Sequence, residues 1–196
     1  MVVEAAHDGW VVTKRNLLKI KRVPDLVIFS TIQPIMFVLL FAYVFGGAIA
    51  TPGINYREFL IPGIFVQTVA FGAGITAIGL ADDLQKGIVD RFRSLPMSRG
   101  AVLFGRTSSD LINNVFTVIV MAVTGVIVGW RINEGFLRGV AGFAILFLFA
   151  YAMSWISAVI GLSVKSVEVA QSAGFIWMFP LTFLSNAFVR PETLPS

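Results

Sequence analysis

The 196-residue chain contains no cysteine and a single histidine, His7. The first absence removes disulfides, thiolate nucleophiles and cysteine-held metals, and the second leaves no histidine pair from which a metal site might be assembled. His7 stands among polar residues near the N-terminus and reads as a solvated side chain. Charge is also scarce, at 13% of residues against about 25% in ordinary soluble domains. No Gly-x-x-x-x-Gly-Lys-Ser/Thr run occurs, since the nearest match, from Gly161 to Ser166, is too short to cradle nucleotide phosphates. Neither a Ser/His/Asp set nor paired carboxylates can be drawn from what remains, so no catalytic residue, metal ligand or bound cofactor is expected in this chain.

What fills the sequence instead is apolar. Hydrophobic residues make up 57%, eighteen of them are Phe, and the mean hydropathy is +0.84. Five runs, at residues 26–45, 59–80, 111–129, 140–162 and 170–189, approach or exceed the roughly 18 low-charge residues that cross about 30 Å of hydrocarbon. Barrel strands would alternate polar and apolar side chains over about ten residues, and the run 141–150 does not alternate. The expected fold is all-α, a polytopic transmembrane bundle. With short connectors except at 81–110, and no linker or repeat, residues 1–196 form one transmembrane domain.

Eleven of the fifteen Lys and Arg residues precede the first run, follow the second or follow the fourth, and four fall on the opposite side. By the positive-inside rule the N-terminus and the 81–110 loop are cytoplasmic, in the plasma or inner membrane. The net charge of +4 then reports orientation and anionic headgroups, and calls for no nucleic-acid partner. Ala48-Ile49-Ala50 resembles a signal-peptide cleavage site, but the apolar run before it is longer than the roughly 7–15 residues of a signal core.

Residues 1–25 read as a cytoplasmic interfacial helix. Over 9–23, Trp10, Thr13, Leu17 and Ile20 share a stripe at helical spacing, with Arg15, Lys19 and Arg22 opposite. In the long loop, Leu84, Ile88, Phe92 and Leu95 recur at helical spacing, with Lys86, Asp90, Arg91 and Arg93 elsewhere on the circumference. Asp82 and Asp83 suit a helix N-terminus there, Pro96 disfavours continuation, and Ser98 suits the cap of a helix running from 99 to 129. Such a loop is either a docking surface for a cytoplasmic protein or a solvated interfacial segment.

The segments Phe59-Leu60-Ile61-Pro62-Gly63-Ile64 and Leu80-Ala81-Asp82-Asp83-Leu84-Gln85-Lys86-Gly87-Ile88-Val89-Asp90-Arg91-Phe92-Arg93-Ser94-Leu95-Pro96 resemble the membrane subunits of ABC exporters of the daunorubicin-resistance type. The likeness extends from the basic N-terminal helix to Arg190-Pro191-Glu192-Thr193-Leu194-Pro195. It implies six spans, a dimer with a second permease copy, a separate cytoplasmic ATPase subunit holding ATP and Mg, and a coupling helix matching 86–96. Lys86, Ile88, Asp90, Arg91, Phe92, Arg93 and Leu95 are then the ATPase-coupling candidates. Only five spans are visible against the family's six, which makes an incomplete transporter the expectation for the chain as it stands.

Polar residues inside the runs are few: Gln33 beside Pro34, Gln67 and Thr68, Asn113 and Asn114, and Asn186. In lipid they face other helices or a wet cavity, so Gln33, Gln67 and Asn114 are candidates for a translocation path as well as for interhelical hydrogen bonds. Pro34 and Pro180 are expected to bend their helices. Ala150, Ser154, Ser157, Ala158 and Gly161, with the pair Gly125 and Gly129, permit close backbone approach. An ion-coupled carrier or channel is the alternative function; it lacks support because no Asp, Glu or His lies mid-span, Asp110 and Glu168 being near ends. The substrate expected of an exporter with so much Phe and Leu is a hydrophobic or amphiphilic drug or a lipid, although the same residues also satisfy the bilayer.

Overall fold

A computed structural model describes residues 2–22, 24–45, 56–94, 98, 100–132 and 135–184. Its helices are α1 (Val2–Arg22), α2 (Pro24–Leu40) with a π-helical turn at Phe41–Phe45, α3 (Tyr56–Gln85), α4 (Ile88–Arg93), α5 (Ala101–Val128), α6 (Phe136–Ser163) and α7 (Val167–Leu184). No strand occurs among the described residues. The fold is the polytopic helical bundle that the apolar runs imply. Within it, residues 60–85, 101–128 and 136–163 are long and apolar enough to cross a membrane, and α2 and α7 occupy the first and fifth of the expected runs. The helices continue through Pro34, Pro62 and Pro180.

At about 1.5 Å per residue the 30 residues of α3 extend some 45 Å, enough to span the hydrocarbon and project beyond it. This helix is central, packing on α5, α6 and α7, while α1 lies along α5. One core cluster joins Val38 of α2, Ile61, Ile64 and Phe65 of α3, Met121 of α5, Trp130, and Leu146 and Ala150 of α6; a second joins Ala70 and Ala73 to Met153 and Met178. Lipid is as apolar as these side chains, so burial alone drives little association; close contact between small residues does more. Ala150, Ser154, Ser157, Ala158 and Gly161 are buried along α6, as their spacing predicts. Gly125 is likewise buried, whereas Gly129 has a different task. It stands at φ 101° past the end of α5, where the Trp130 N–H reaches the Gly125 carbonyl at 2.8 Å and the Gly129 N–H reaches that of Val126 at 3.0 Å.

Two local expectations change. The loop helix does not begin at Asp82 and Asp83, which lie instead in the last turn of α3; the chain breaks at Lys86-Gly87, with Gly87 at φ 64°, and α4 runs only from Ile88 to Arg93. Leu84 therefore belongs to another helix than Ile88 and Phe92. Ser98 does not cap α5, since Gly100 precedes its first residue and Ser98 contributes its carbonyl to the Ala101 N–H. The buried stripe of α1 is Gly9, Val12, Thr13 and Asn16, and Trp10 is exposed. Gly9 and Gly105 explain why this face of α1 meets α5, because two small residues let the helices approach backbone to backbone: a Cβ on Gly105 would stand 2.9 Å from the Gly9 carbonyl oxygen. Ala48–Ala50, Leu95, Arg99, Asn186 and 190–196 lie outside the described residues, as do the side chains of Lys19, Ile20, Arg22 and Arg93.

Candidate functional site

The far ends of α3, α5 and α6 are tied together by side chains from separated stretches of sequence. Arg15 Nη2 donates to Asp83 Oδ2 at 3.0 Å, joining α1 to the last turn of α3. Gln85 Nε2 donates to the Lys165 carbonyl at 3.4 Å, bringing the α6–α7 connector to the same end. The Ser98 N–H donates to Asp8 Oδ2 at 3.0 Å, so α1 also holds the strand of chain that leads into α5. Thr13 shares its hydroxyl proton between the Gly9 and Gly105 carbonyls at 2.8 and 3.2 Å, and Asn16 Nδ2 reaches Ser109 Oγ at 3.4 Å. The three basic groups that the sequence separates thus meet at one end of the bundle.

At this end stand the loop candidates. Lys86 is exposed and pairs with Asp82 at 2.8 Å. Ile88 and Phe92 are half-buried, Asp90 and Arg91 exposed, and Val89 is buried, alone among the described side chains of the short helix. Val89 was missed because the reading carried Leu84 through Gly87 as though one helix continued. The Arg15 guanidinium carbon sits 5.0 Å from the centroid of the Phe92 ring, within the range of a cation–π contact. Arg93 lies in α4 with its side chain outside the described set, as is Leu95 altogether.

The path candidates are dispersed over three helices. Gln33 on α2 is exposed beside buried Pro34, Gln67 on α3 is half-buried, and Asn114 on α5 is buried with its Oδ1 held against α3, where a Cβ on Gly72 would stand 2.8 Å away. A more concentrated polar cluster escaped the sequence reading. Arg106 Nε donates to Asp110 Oδ2 at 3.1 Å, Thr76 Oγ1 donates to the same oxygen at 2.7 Å, and Arg106 Nη2 donates to the Ile75 carbonyl at 3.0 Å. Gly79 makes this possible, because any Cβ there would overlap the Arg106 guanidinium. The available signal was the four-residue spacing of Arg106 and Asp110, which puts opposite charges on one helix face. At the start of α7, Ser166 Oγ accepts the Val169 N–H at 3.3 Å, and the Ser166 hydrogen bond to Glu168 holds that exposed carboxyl below the usual range. Among the described residues no three His, Asp or Glu side chains gather as a metal site would require.

The profile of the ABC-2 type transporter family matches residues 8–196. Over 181 residues the chain is 35% identical to the daunorubicin resistance ABC transporter permease protein DrrB1 of Streptomyces coeruleorubidus, which covers 92% of this chain and 64% of the relative. It is 27% identical to the transport permease ycf38 of Cyanophora paradoxa, over 97% of this chain and 67% of that one. It is 23% identical to the doxorubicin resistance ABC transporter permease protein DrrC of Mycobacterium tuberculosis, over 93% of this chain and 66% of that protein. The chain therefore spans about two thirds of the length of these relatives. No solved structure matches it.

Proposed function

The chain belongs to the ABC-2 type transporter family, and from that premise we propose that it serves as the membrane-spanning permease subunit of an ATP-driven exporter. Its energy comes from a separate cytoplasmic ATPase subunit, which binds ATP and Mg. The sequence has no phosphate-binding loop of its own.

The observation that carries this reading is the gathering of α4 and the basic segments at one end. The Arg15–Asp83 and Gln85–Lys165 contacts unite the three stretches in which basic residues concentrate, and a short helix with exposed Asp90 and Arg91 projects there. That charge distribution fits the cytoplasmic face of the inner membrane, with the N-terminus inside. On this face α4 presents Ile88 and Phe92 to a groove on the ATPase while Lys86, Asp90, Arg91 and Arg93 set its orientation from the rim, and Leu95 extends the apolar contact. A second copy of the permease completes the path, and bilayer lipid covers the exposed apolar faces of α2, α5 and α6. The names of two relatives, which speak of daunorubicin and doxorubicin resistance, favour an amphiphilic drug as substrate over a lipid. Gln67 and Asn114, on the inward sides of α3 and α5, are the better candidates for the path, and Gln33 suits it only where a second copy covers α2.

Co-expression with the ATPase subunit tests the assignment. Affinity capture of the permease in mild detergent should retain the ATPase, and Ile88→Asp should abolish that retention. Capture of the permease alone from cells expressing both would refute the partnership.

A further inference from the structure

We infer that Arg15 is a positioning residue for α4: one guanidinium reaches across the joint between α3 and α4 and sets the pose of the coupling helix. The inference rests on the reading of α4 as the ATPase contact. The joint itself turns on a single left-handed glycine. Gly87 adopts φ 64° with nothing within 4 Å of where its Cβ would be, and among the described side chains of α4 Val89 alone is buried. Backbone hydrogen bonds across it are local ones, from the Gly87 N–H to the Leu84 carbonyl and from the Arg91 N–H to the Gly87 carbonyl.

Arg15 touches both sides of this joint. Before it, Nη2 bonds to Asp83, whose side chain is 2% exposed; after it, the guanidinium carbon lies 5.0 Å from the Phe92 ring centroid. A buried carboxylate left without its cation is strongly disfavoured, so Asp83 holds the Arg15 cation in place, where it also stands over the Phe92 ring. Arg15 is itself anchored. Its Nη2 and Nε donate to Asn16 Oδ1 at 2.9 and 3.3 Å, Asn16 bonds to Ser109, and Gly9, Val12 and Thr13 seat α1 against Gly105. The pose of α4 is thereby referred to α1 and α5 as well as to α3. A shift of α5 or α1 during transport reaches α4 through this side chain, and a shift of α4 imposed by the ATPase reaches the bundle by the same route.

The complex of permease and ATPase in lipid nanodiscs provides the test, with daunorubicin as the probe. Partner binding and drug-stimulated ATP hydrolysis are measured for wild type, Arg15→Ala, Arg15→Lys and Ile88→Asp. Arg15→Ala should bind the ATPase and yet lose about five-fold or more of the stimulation, the lower edge of ordinary coupling between sites. Arg15→Lys, which keeps a cation for Asp83 and Phe92, should retain most of it and remains informative should the alanine variant fold poorly. Hydrogen exchange of the α4 amides in the permease alone should quicken in Arg15→Ala. Wild-type stimulation and exchange in Arg15→Ala beside a defective Ile88→Asp overturn this inference alone. Wild-type binding by Ile88→Asp instead overturns the docking reading and the inference with it, and equal losses in Arg15→Lys and Arg15→Ala overturn the charge-based account.

Discussion

Gly161 of α6 meets the backbone of Ala77 of α3 so closely that a Cβ at position 161 would stand 2.6 Å from the Ala77 carbonyl oxygen and 2.8 Å from its Cα. Neither neighbour is a side-chain tip able to swing aside, so an added methyl must push the two helices apart. Gly161→Ala should cost about 1–3 kcal/mol, as overpacking does in close-packed interiors. Gly142→Ala on the same helix meets nothing within 4 Å and should be neutral or slightly stabilising. Thermal unfolding of both variants in one detergent checks the contrast; equal midpoints would contradict the contact.

Arg106 and Asp110 form a nearly dry ion pair, with side-chain exposures of 12% and 10%. Removing Asp110 alone strands the guanidinium against Gly79, and Asp110→Ala should cost about 3–5 kcal/mol, the usual penalty for breaking a buried pair. Arg106→Met together with Asp110→Leu removes both charges and should cost less than the sum of the two single changes. Unfolding by denaturant in mixed micelles would give the coupling, and strict additivity would show that the pair contributes no interaction.

Gly87 and Gly100 flank α4 in different conformations. Gly87 is left-handed at φ 64°, while Gly100 is at φ −86° with open space about it. An L-residue at the first position costs about 1–2 kcal/mol, so Gly87→Ala should destabilise or re-aim α4, and Gly100→Ala should be tolerated. Amide exchange over residues 88–93 reports the difference. Faster exchange in Gly100→Ala than in Gly87→Ala would reverse the assignment.

The helical bundle was legible because low charge over long runs is a strong signal that no soluble arrangement satisfies. The close-packing role of Gly161 was legible too, since small residues at helical spacing have little other use between apolar helices. The contacts at the basic end were not. Asp83 looks like a helix-start carboxylate until Arg15, 68 positions earlier, is seen to pair with it. The face of α1 that meets α5 carries no bulky stripe to read, since Gly9 and Gly105 permit the approach by their own lack of bulk. Hydrophobic periodicity registers bulk and cannot register the contacts that its absence allows. The same limit hid the break at Gly87, where a single backbone angle separates Leu84 from Ile88.

The proposed orientation puts the basic end in the cytoplasm. These 196 residues hold no cysteine, so single replacements within them label cleanly. Ser94→Cys, exposed after α4, should resist an impermeant maleimide in intact cells, and Arg131→Cys, exposed beyond α5, should react. The reverse pattern would invert the topology.

Export of an amphiphile with energy delivered through α4, as proposed, is open to direct measurement. Inside-out proteoliposomes containing the permease, extended by any natural downstream sequence, and its ATPase subunit should accumulate daunorubicin on addition of ATP and Mg. Accumulation should fall to the no-ATP level in Ile88→Asp and survive in Arg91→Ala, because an apolar anchor at an interface contributes about 2 kcal/mol or more and an exposed charge about 0–1. ATP-dependent accumulation that persists undiminished in Ile88→Asp would contradict the account of coupling, and accumulation driven by an ion gradient without ATP would contradict the exporter itself.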